Sequence, residues 1–522
     1  MNILAVIPAK SESNRLDGKN LQKIGDKTLI EIAVDYAKSS DLVTEVVVST
    51  DSSEIKELVE SKDLCKCMLR SPDLGVETDV FFVYTDAWEK FGKDADYVLG
   101  LQPDNPDRTV DIDETLRYVI DNRLDNFFTV GTDGKKNGSM RVFNPNKVSF
   151  LKENTILDNC TNIHTQGDLN TAINNIKINP NPLNLKENEV FVIAEAACNH
   201  MCSVELAKAM IDCAADAGAN AIKFQTYKGE RIVTKYAPAF WGTETMKQVQ
   251  YYERLDKFDK EDYELLFDYA KSKNIIPFST PFSEVDAKIL NEIGMEIFKI
   301  PSFEIVNLDL LKCIASFKKP IILSTGAASY KEIDKAIEVI TSEGNYDLAL
   351  MACTLSYHTE NKDANLRRIQ TLKERYPSFL IGHSDHTMPD EHMVIPTISV
   401  ALGARMIEKH YTMSRTMTGS GHYFSIEPSD LKKMVHNIRM YETVIGDGSQ
   451  GTAENEKRGK SGGRKSIVAK VDIEKGTTIE KDMLAYKRPG DGISPDQVDE
   501  VIGMTASEDI GGDYQITWEN IK

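Results

Sequence analysis

Eight short β-rich runs between residues 190 and 445 constrain the fold more than anything else in the chain. They are FVIAE (191–195), AIKFQT (221–226), IIPFST (275–280), EIFKI (296–300), PIILST (320–325), LALMAC (348–353), FLIGHS (379–384) and RMIEKH (405–410). Amphipathic helical stretches, such as SVELAKAMIDCAADAGA (203–219), separate most of them. Parallel strands need crossovers of this kind, so eight βα units predict a closed (β/α)8 TIM barrel over residues 190–445. The intervals vary from roughly 20 to 55 residues, so the pattern is a series of units and not a sequence repeat.

In such a barrel the C-terminal strand ends build the site. Here those ends are polar above apolar strand bodies. They carry Glu195, Lys223, Gln225, Thr280, Lys299, Ser302, Glu304, Ser324, Tyr357, Ser384, His386 and His410. Two lysines with several hydroxyls suit a phosphate, through charge-assisted and neutral hydrogen bonds. Two histidines ending consecutive strands, His386 and His410, suit a divalent metal with open positions. Glu195 and Glu304 suit a base or a hold on a substrate hydroxyl. Each residue also has a plainer reading. Lys223 and Lys299 equally suit internal ion pairs, and His200, His358 and His383 read as structural histidines.

Residues 1–170 alternate strands and helices: NILAVIP, LIEIAVDYAKSS, EVVVST, a helix from about 53, then DYVLGLQP. That rhythm predicts an α/β domain with an open parallel sheet. Its first strand opens into IPAKSESNRLDGKN, a loop whose Lys10, Arg15 and Lys19 suit phosphates. Residues 171–189, rich in Asn and Pro, read as a linker, and so do the polar, Gly-rich residues 446–463. Residues 464–522 contain SIVAKVDIEKGTTI and EDIGGDYQIT, which predict a small β-rich domain dependent on docking or oligomerisation.

The net charge of −19 argues against nucleic acid and anionic membranes as partners. No run of about 18 apolar residues exists to span a bilayer. The start MNILAVIPAK lacks the features of a signal peptide, and the eight cysteines are sparse for 522 residues. A cytoplasmic protein with free thiols is the expectation.

The barrel motifs FVIAEAACNH, AIKFQTYKGERIVTKYAP, FSTPFS, FKIPSFE, ILSTG, IGHSDHT and IEKHYT, in this order, resemble the sialic acid synthase family. VDIEKGTTIEKDML and YKRPGDGISP look like the antifreeze-like (SAF) domain that ends those enzymes. The resemblance implies a nonulosonic acid synthase, a transferase that condenses phosphoenolpyruvate with an N-acylated mannosamine-type sugar and releases phosphate. Pseudaminic or legionaminic acid synthesis is the neighbouring alternative, and a KDO-8-phosphate synthase-like barrel a more distant one. The resemblance further implies that His386 and His410 bind Mn²⁺, with Mg²⁺ or Co²⁺ accepted by similar ligands. Lys223, Thr280, Lys299, Ser302 and Ser324 would hold phosphoenolpyruvate, with Ser384 beside the metal. Gln225, Glu304 and Tyr357 would contact the sugar, and Glu195 would act on the attacking water. Arg488 would reach the sugar in the other subunit of a domain-swapped homodimer. Two positions depart from the family pattern: Leu355 follows Thr354 where Asn or Ser is usual, and Phe303 stands where Gly is usual in sialic and legionaminic synthases.

The first segment resembles CMP-sialic acid synthetases, through VIPAKSESNRLDGKNLQKIGDKTLIEIAVDYA, VVVSTDSSEI and LGLQPDNPDRT. That implies CTP or a CMP-sugar as ligand, near Lys10, Arg15, Lys19, Asn20 and Asp104. The run NIHTQGDL places Asn162 and His164 where the family has an Asp-x-Asp metal pair, and keeps only Asp168. The segment is therefore expected to be a synthetase, or a nucleotide-sensing or structural module that has lost part of its site.

Overall fold

Eight parallel strands close into a barrel in sequence order: Phe191–Ala197, Ala221–Thr226, Ile276–Pro281, Phe298–Ile300, Ile321–Ser324, Leu348–Cys353, Leu380–Asp385 and Met406–His410. The last strand pairs with the first, Glu195 opposite His410, which completes the ring. All eight strands read from the sequence are present. This computed structural model describes residues 1–11, 16–70, 74, 79–131, 134–147, 154–158, 160–239, 247–446 and 448–522.

The helices between strands form because apolar residues recur at helical spacing behind a capping hydroxyl or carboxylate. In Val204–Asp216, Ala207, Met210, Ile211 and Ala214 face inward, and the Ser203 side chain accepts from Leu206 N–H. Tyr330–Ser342 starts with a reciprocal Ser329–Glu332 capping box and buries Ile333, Ala336, Ile337 and Ile340. These faces and the strands make one core. Each large aliphatic side chain in it contributes about 1.5–3 kcal/mol of burial.

The N-terminal sheet has seven strands in the order Lys66–Leu69, Glu45–Thr50, Ile3–Ala9, Tyr97–Gly100, Lys136–Phe143, Asn126–Val130, Asn154–Leu157. Its first four strands are parallel, as expected. Lys136–Phe143 runs antiparallel to both of its neighbours, so the sheet is mixed and not wholly parallel. The connection from Asn126–Val130 to Lys136–Phe143 is short, and a short connection can only reverse the chain.

The stretch 171–189 also differs from a plain linker, because residues Gln166–Lys177 are helical. Leu169, Ala172 and Ile173 lie on one face and pack with Ile24, Leu29 and Ile163. Further on, Ile178 and Leu185 join the barrel core.

The chain divides into two compact units, Met1–Val444 and Ile445–Lys522. In the second, Ser466–Ala469 and Leu484–Lys487 pair antiparallel. Ile467, Ile473, Ile479, Val501, Ile510 and Ile516 belong to its own buried core, so the small domain is not short of one. All eight cysteines are free. Among the described residues no helix is long and apolar enough to cross a membrane.

Candidate active site

The period of two along a strand sorts the polar strand ends. On the last two barrel strands, and one residue past the seventh, Ser384, His386, Glu408 and His410 line a chamber at the C-terminal end of the barrel. Asp385 and Lys409, between them, turn the other way and form a separate buried ion pair at 2.6 Å. Lys409 also donates to Thr387 O at 2.8 Å, so this pair is satisfied and structural.

Two lysines and two carboxylates occupy the chamber. Lys223 Nζ lies 2.8 Å from Glu195 Oε2 and 3.6 Å from Glu408 Oε2. It also donates to Thr280 Oγ1 at 3.1 Å. Lys299 Nζ is 3.4 Å from Glu408 Oε1, which accepts from Ser384 Oγ at 2.9 Å. Gln225 Nε2 donates to Glu195 Oε1 at 3.2 Å. Ser302 Oγ accepts from Gly326 N–H at 2.9 Å. These contacts leave a space of about 30 Å³. Both lysines are thus ion-paired, one of the two readings open from sequence, yet they are paired inside the one chamber that gathers the other polar ends.

Burial pushes the Glu195 carboxyl up to about 7, against the pull of Lys223. Burial works the same way on Glu408, but Lys223 and Lys299 together hold it well below the usual carboxylate range. Burial lowers the Lys299 ammonium, whereas the two carboxylates keep Lys223 above its ordinary value despite burial. Of the two carboxylates, Glu195 is therefore the one poised to exchange a proton near neutrality.

The two histidine rings lie 5.3 Å apart between centroids. His386 Nδ1 is 3.0 Å from Thr354 O, which orients its ring. His410 Nδ1 is buried with no hydrogen-bond partner, and so is Ser324 Oγ. An orphaned buried imidazole nitrogen beside a second imidazole fits a cation or a polar ligand. No cluster of three or more His, Cys, Asp or Glu side chains suited to a metal occurs among the described residues. A cation held here would therefore have two protein ligands, with the remaining positions left for water and substrate.

Most of the sequence-derived residues converge: Glu195, Lys223, Gln225, Thr280, Lys299, Ser302, Ser324, Tyr357, Ser384, His386 and His410 all line the chamber. Glu304 does not line it; it accepts from Asn307 Nδ2 at 2.8 Å, and burial raises its carboxyl. Arg488 belongs to the second unit, where its Nε donates to Gly463 O at 2.8 Å. Sequence reasoning left Glu408 out of the functional set. Its place two residues before His410, on the same face of RMIEKH, was the available signal.

The N-terminal loop residues meet at their own strand ends. Lys19 Nζ lies 2.5 Å from Asp104 Oδ2, and Asn20 Nδ2 donates to Lys10 O at 2.9 Å. Arg15 lies outside the described residues. Asp168 accepts from the N–H groups of His164 and Thr165, at 2.9 and 2.8 Å, and so caps its helix. A larger cavity, about 450 Å³, is lined by Cys160, Asn175, Asp334 and Arg375 among others, but no barrel strand end reaches it.

Residues 210–450 match the NeuB family, residues 4–193 a cytidylyltransferase family and residues 464–522 the SAF domain. The N,N'-diacetyllegionaminic acid synthase of Campylobacter jejuni is 39% identical over 335 residues, 63% of this chain and 99% of that protein. The pseudaminic acid synthase of the same species is 34% identical over 331 residues, 62% of this chain and 94% of that protein. A solved spore coat polysaccharide biosynthesis protein E from Chromobacterium violaceum shares the fold, with a TM-score of 0.55 and 24% identity over 64% of this chain and 100% of that one.

Proposed function

This chain belongs to the NeuB family, and from that premise we propose that its barrel joins phosphoenolpyruvate to the aldehyde of an N-acylated mannosamine-type sugar. The chain is a nonulosonic acid synthase, a transferase of the N-acetylneuraminate synthase type. The observation that carries the reading is the chamber itself, where two buried lysines and several hydroxyls face a histidine pair. A phosphate would take over the lysine partners that Glu195 and Glu408 now supply. Lys223, Lys299, Thr280, Ser302 and Ser324 would hold it from binding to departure, stabilising its charge in a water-poor site. Gln225, Glu304 and Tyr357 would orient the sugar, with Ser384 beside the histidines.

The methylene carbon of phosphoenolpyruvate forms the new bond to the sugar aldehyde carbon, whose oxygen takes up a proton. Water adds to the former enol carbon, and Glu195 accepts its proton. The C–O bond to phosphate then breaks and phosphate leaves. His386 and His410 would hold a divalent cation, Mn²⁺ or else Mg²⁺ or Co²⁺, which when bound supplies a Lewis acid for the carbonyl. The protein would work in the cytoplasm as a domain-swapped homodimer, with Arg488 of one subunit on the sugar of the other. Arg488→Ala is then expected to raise the sugar KM with little effect on phosphoenolpyruvate; an unchanged sugar KM and rate reject that contact.

The test of the synthase reading is phosphate release from phosphoenolpyruvate with three sugars: N-acetylmannosamine and the two diacetamido-trideoxy-hexoses. Release with none of them sinks it. A second reading concerns residues 1–170. Asp104 is paired with Lys19 through Oδ2 and Asp168 caps a helix, so only Asp104 Oδ1 remains open where triphosphate transfer needs carboxylates to hold a cation. This domain would bind CTP or a CMP-sugar without turning it over. Rapid pyrophosphate release from CTP and a nonulosonic acid would contradict that.

A further inference from the structure

Asp385 and Lys409 carry charges that the reaction proposed above never uses. Both side chains are 1% exposed, and neither lines the chamber. A buried ion pair is weak evidence of stability, because desolvation offsets most of its attraction and apolar isosteres often serve as well. Nor is the pair needed to join its strands. Leu380–Asp385 and Met406–His410 already share a parallel ladder, in which Asp385 stands opposite Lys409.

What the pair encloses is a histidine. His410 lies inside the eighth strand, with Glu195 opposite it, whereas His386 lies one residue past the end of the seventh. The two neighbours of His386 are locked to each other. Asp385 Oδ1 accepts from Thr387 N–H at 2.9 Å and from Thr387 Oγ1 at 2.8 Å. Lys409 Nζ donates to Asp385 Oδ2 at 2.6 Å, to Thr387 O at 2.8 Å and to Thr387 Oγ1 at 3.3 Å. An ammonium has three hydrogens to donate, and here every acceptor belongs to a neighbour of His386. From the loop after the sixth strand, Thr359 N–H donates to His386 O at 2.9 Å. The backbone under His386 is therefore held where the ladder no longer reaches, and it is held by the residue that precedes His410 in the chain.

We propose that Lys409 and Asp385 are positioning residues, which fix His386 against His410 and so set the affinity of the histidine pair for a divalent cation. The proposal rests on the cation reading of the two histidines. A ligand pair works only when supports behind it hold its geometry to within about 0.5 Å. Lys409, Asp385 and Thr387 are such supports: they are buried and their polar side-chain atoms are fully engaged around His386.

The experiment titrates Mn²⁺ into the whole protein without substrates and reads free Mn²⁺ by electron paramagnetic resonance. Calorimetry with phosphoenolpyruvate and a thermal melt accompany it. Asp385→Asn combined with Lys409→Met leaves no unpaired buried charge. Its amide oxygen can still accept from Thr387, but Thr387 O loses its donor. The Mn²⁺ Kd should rise about 10- to 100-fold, while the phosphoenolpyruvate Kd changes by less than about twofold, since Lys223 and Lys299 keep their partners. A pair that serves only the fold predicts the reverse, a changed melting temperature with both affinities kept, and that result overturns the proposal. Loss of both affinities together also overturns it, because the effect would not run through the histidines. Thr387→Val keeps both charges and removes only the hydroxyl between them, so it decides the matter even where the double variant does not fold. It should raise the Mn²⁺ Kd at least about threefold; an unchanged value overturns the proposal. A wild type that binds no Mn²⁺ strikes the cation reading and the proposal with it. A wild type that binds Mn²⁺ but not phosphoenolpyruvate strikes the synthase reading, while the Mn²⁺ titrations still judge Lys409 and Asp385.

Discussion

At the barrel's strand ends, the buried side chains of Lys223 and Lys299 face Glu195 and Glu408 in one chamber. At the N-terminal sheet's strand ends, Lys19 faces Asp104, and the nearby Asp168 is spent on capping a helix. Both are polar crevices at the C-terminal edge of parallel strands, where α/β folds place ligands. They differ in what is left over. In the barrel, Ser324 Oγ and His410 Nδ1 have no partners, and Glu195 Oε2 and Glu408 Oε2 have only the Lys223 ammonium near them. The N-terminal site leaves acceptors, Asp104 Oδ1, Asn105 Oδ1 and Asn162 Oδ1. Acceptors of this kind suit the donor groups of a nucleobase or sugar, whereas the barrel's lysines suit a phosphate in motion. On the function proposed above, the first crevice would serve chemistry and the second recognition.

The histidine pair gives the hardest test of that separation. His386→Ala or His410→Ala should lower phosphate release on the order of 10³-fold or more, and a chelator should do the same reversibly in the wild type. Lys19→Ala should leave phosphate release unchanged. Full synthase activity in either histidine variant, or loss of it in Lys19→Ala, would erase the distinction between the two crevices.

Glu408 comes next. Glu408→Gln strips the shared counter-charge from two buried lysines, so activity should fall on the order of 10²-fold and stability by about 3–5 kcal/mol. Phosphate release and a urea melt read the two effects. Wild-type values for both would mean that Glu195 alone balances the lysines.

That residue also marks the limit of what the sequence made legible. The eight barrel strands could be read because short β-rich runs recur between amphipathic helices, a pattern set by local burial. The histidines stand out because histidine is rare, and one ends the run RMIEKH while the other follows FLIGHS by two residues. Glu408 sat among acidic and basic neighbours, and only the alternation of RMIEKH separates it from Lys409, which serves another ion pair. The helix Gln166–Lys177 was hidden by its asparagines; its apolar face is only Leu169, Ala172 and Ile173, completed by residues about 140 positions earlier. The reversal at Lys136–Phe143 follows from pairing across the sheet, which no local pattern encodes.

Proton chemistry sharpens the contrast on a smaller scale. Burial raises the Glu195 carboxyl to about 7, so it is protonated below that pH and unable to accept a proton from water. The synthase rate should therefore fall as pH drops below about 7, approaching tenfold per unit. Glu195→Gln should be slower and lose that acidic limb. An acidic limb that survives in Glu195→Gln would assign it to another group and remove Glu195 as the base.

The smallest expected effect falls on Asp168, and it probes the N-terminal crevice from the other side. Thr165 and Asp168 cap each other's backbone: Asp168 Oδ2 accepts from Thr165 N–H, and Thr165 Oγ1 accepts from Asp168 N–H at 3.2 Å. Partial burial favours the neutral carboxyl, but the N–H groups of His164 and Thr165 outweigh it and hold the group below its ordinary value. An amide can still accept those bonds and loses only the charge term at the helix N-terminus, about 0.3–1 kcal/mol. Asp168→Asn should thus cost less than about 1 kcal/mol in a denaturant melt, leave phosphate release unchanged and leave CTP affinity by calorimetry within about twofold. A tenfold loss of CTP affinity would mean that the carboxylate leaves its cap to meet the nucleotide and its cation. The N-terminal crevice would then share the equipment of a catalytic one, and the contrast with the barrel would fail.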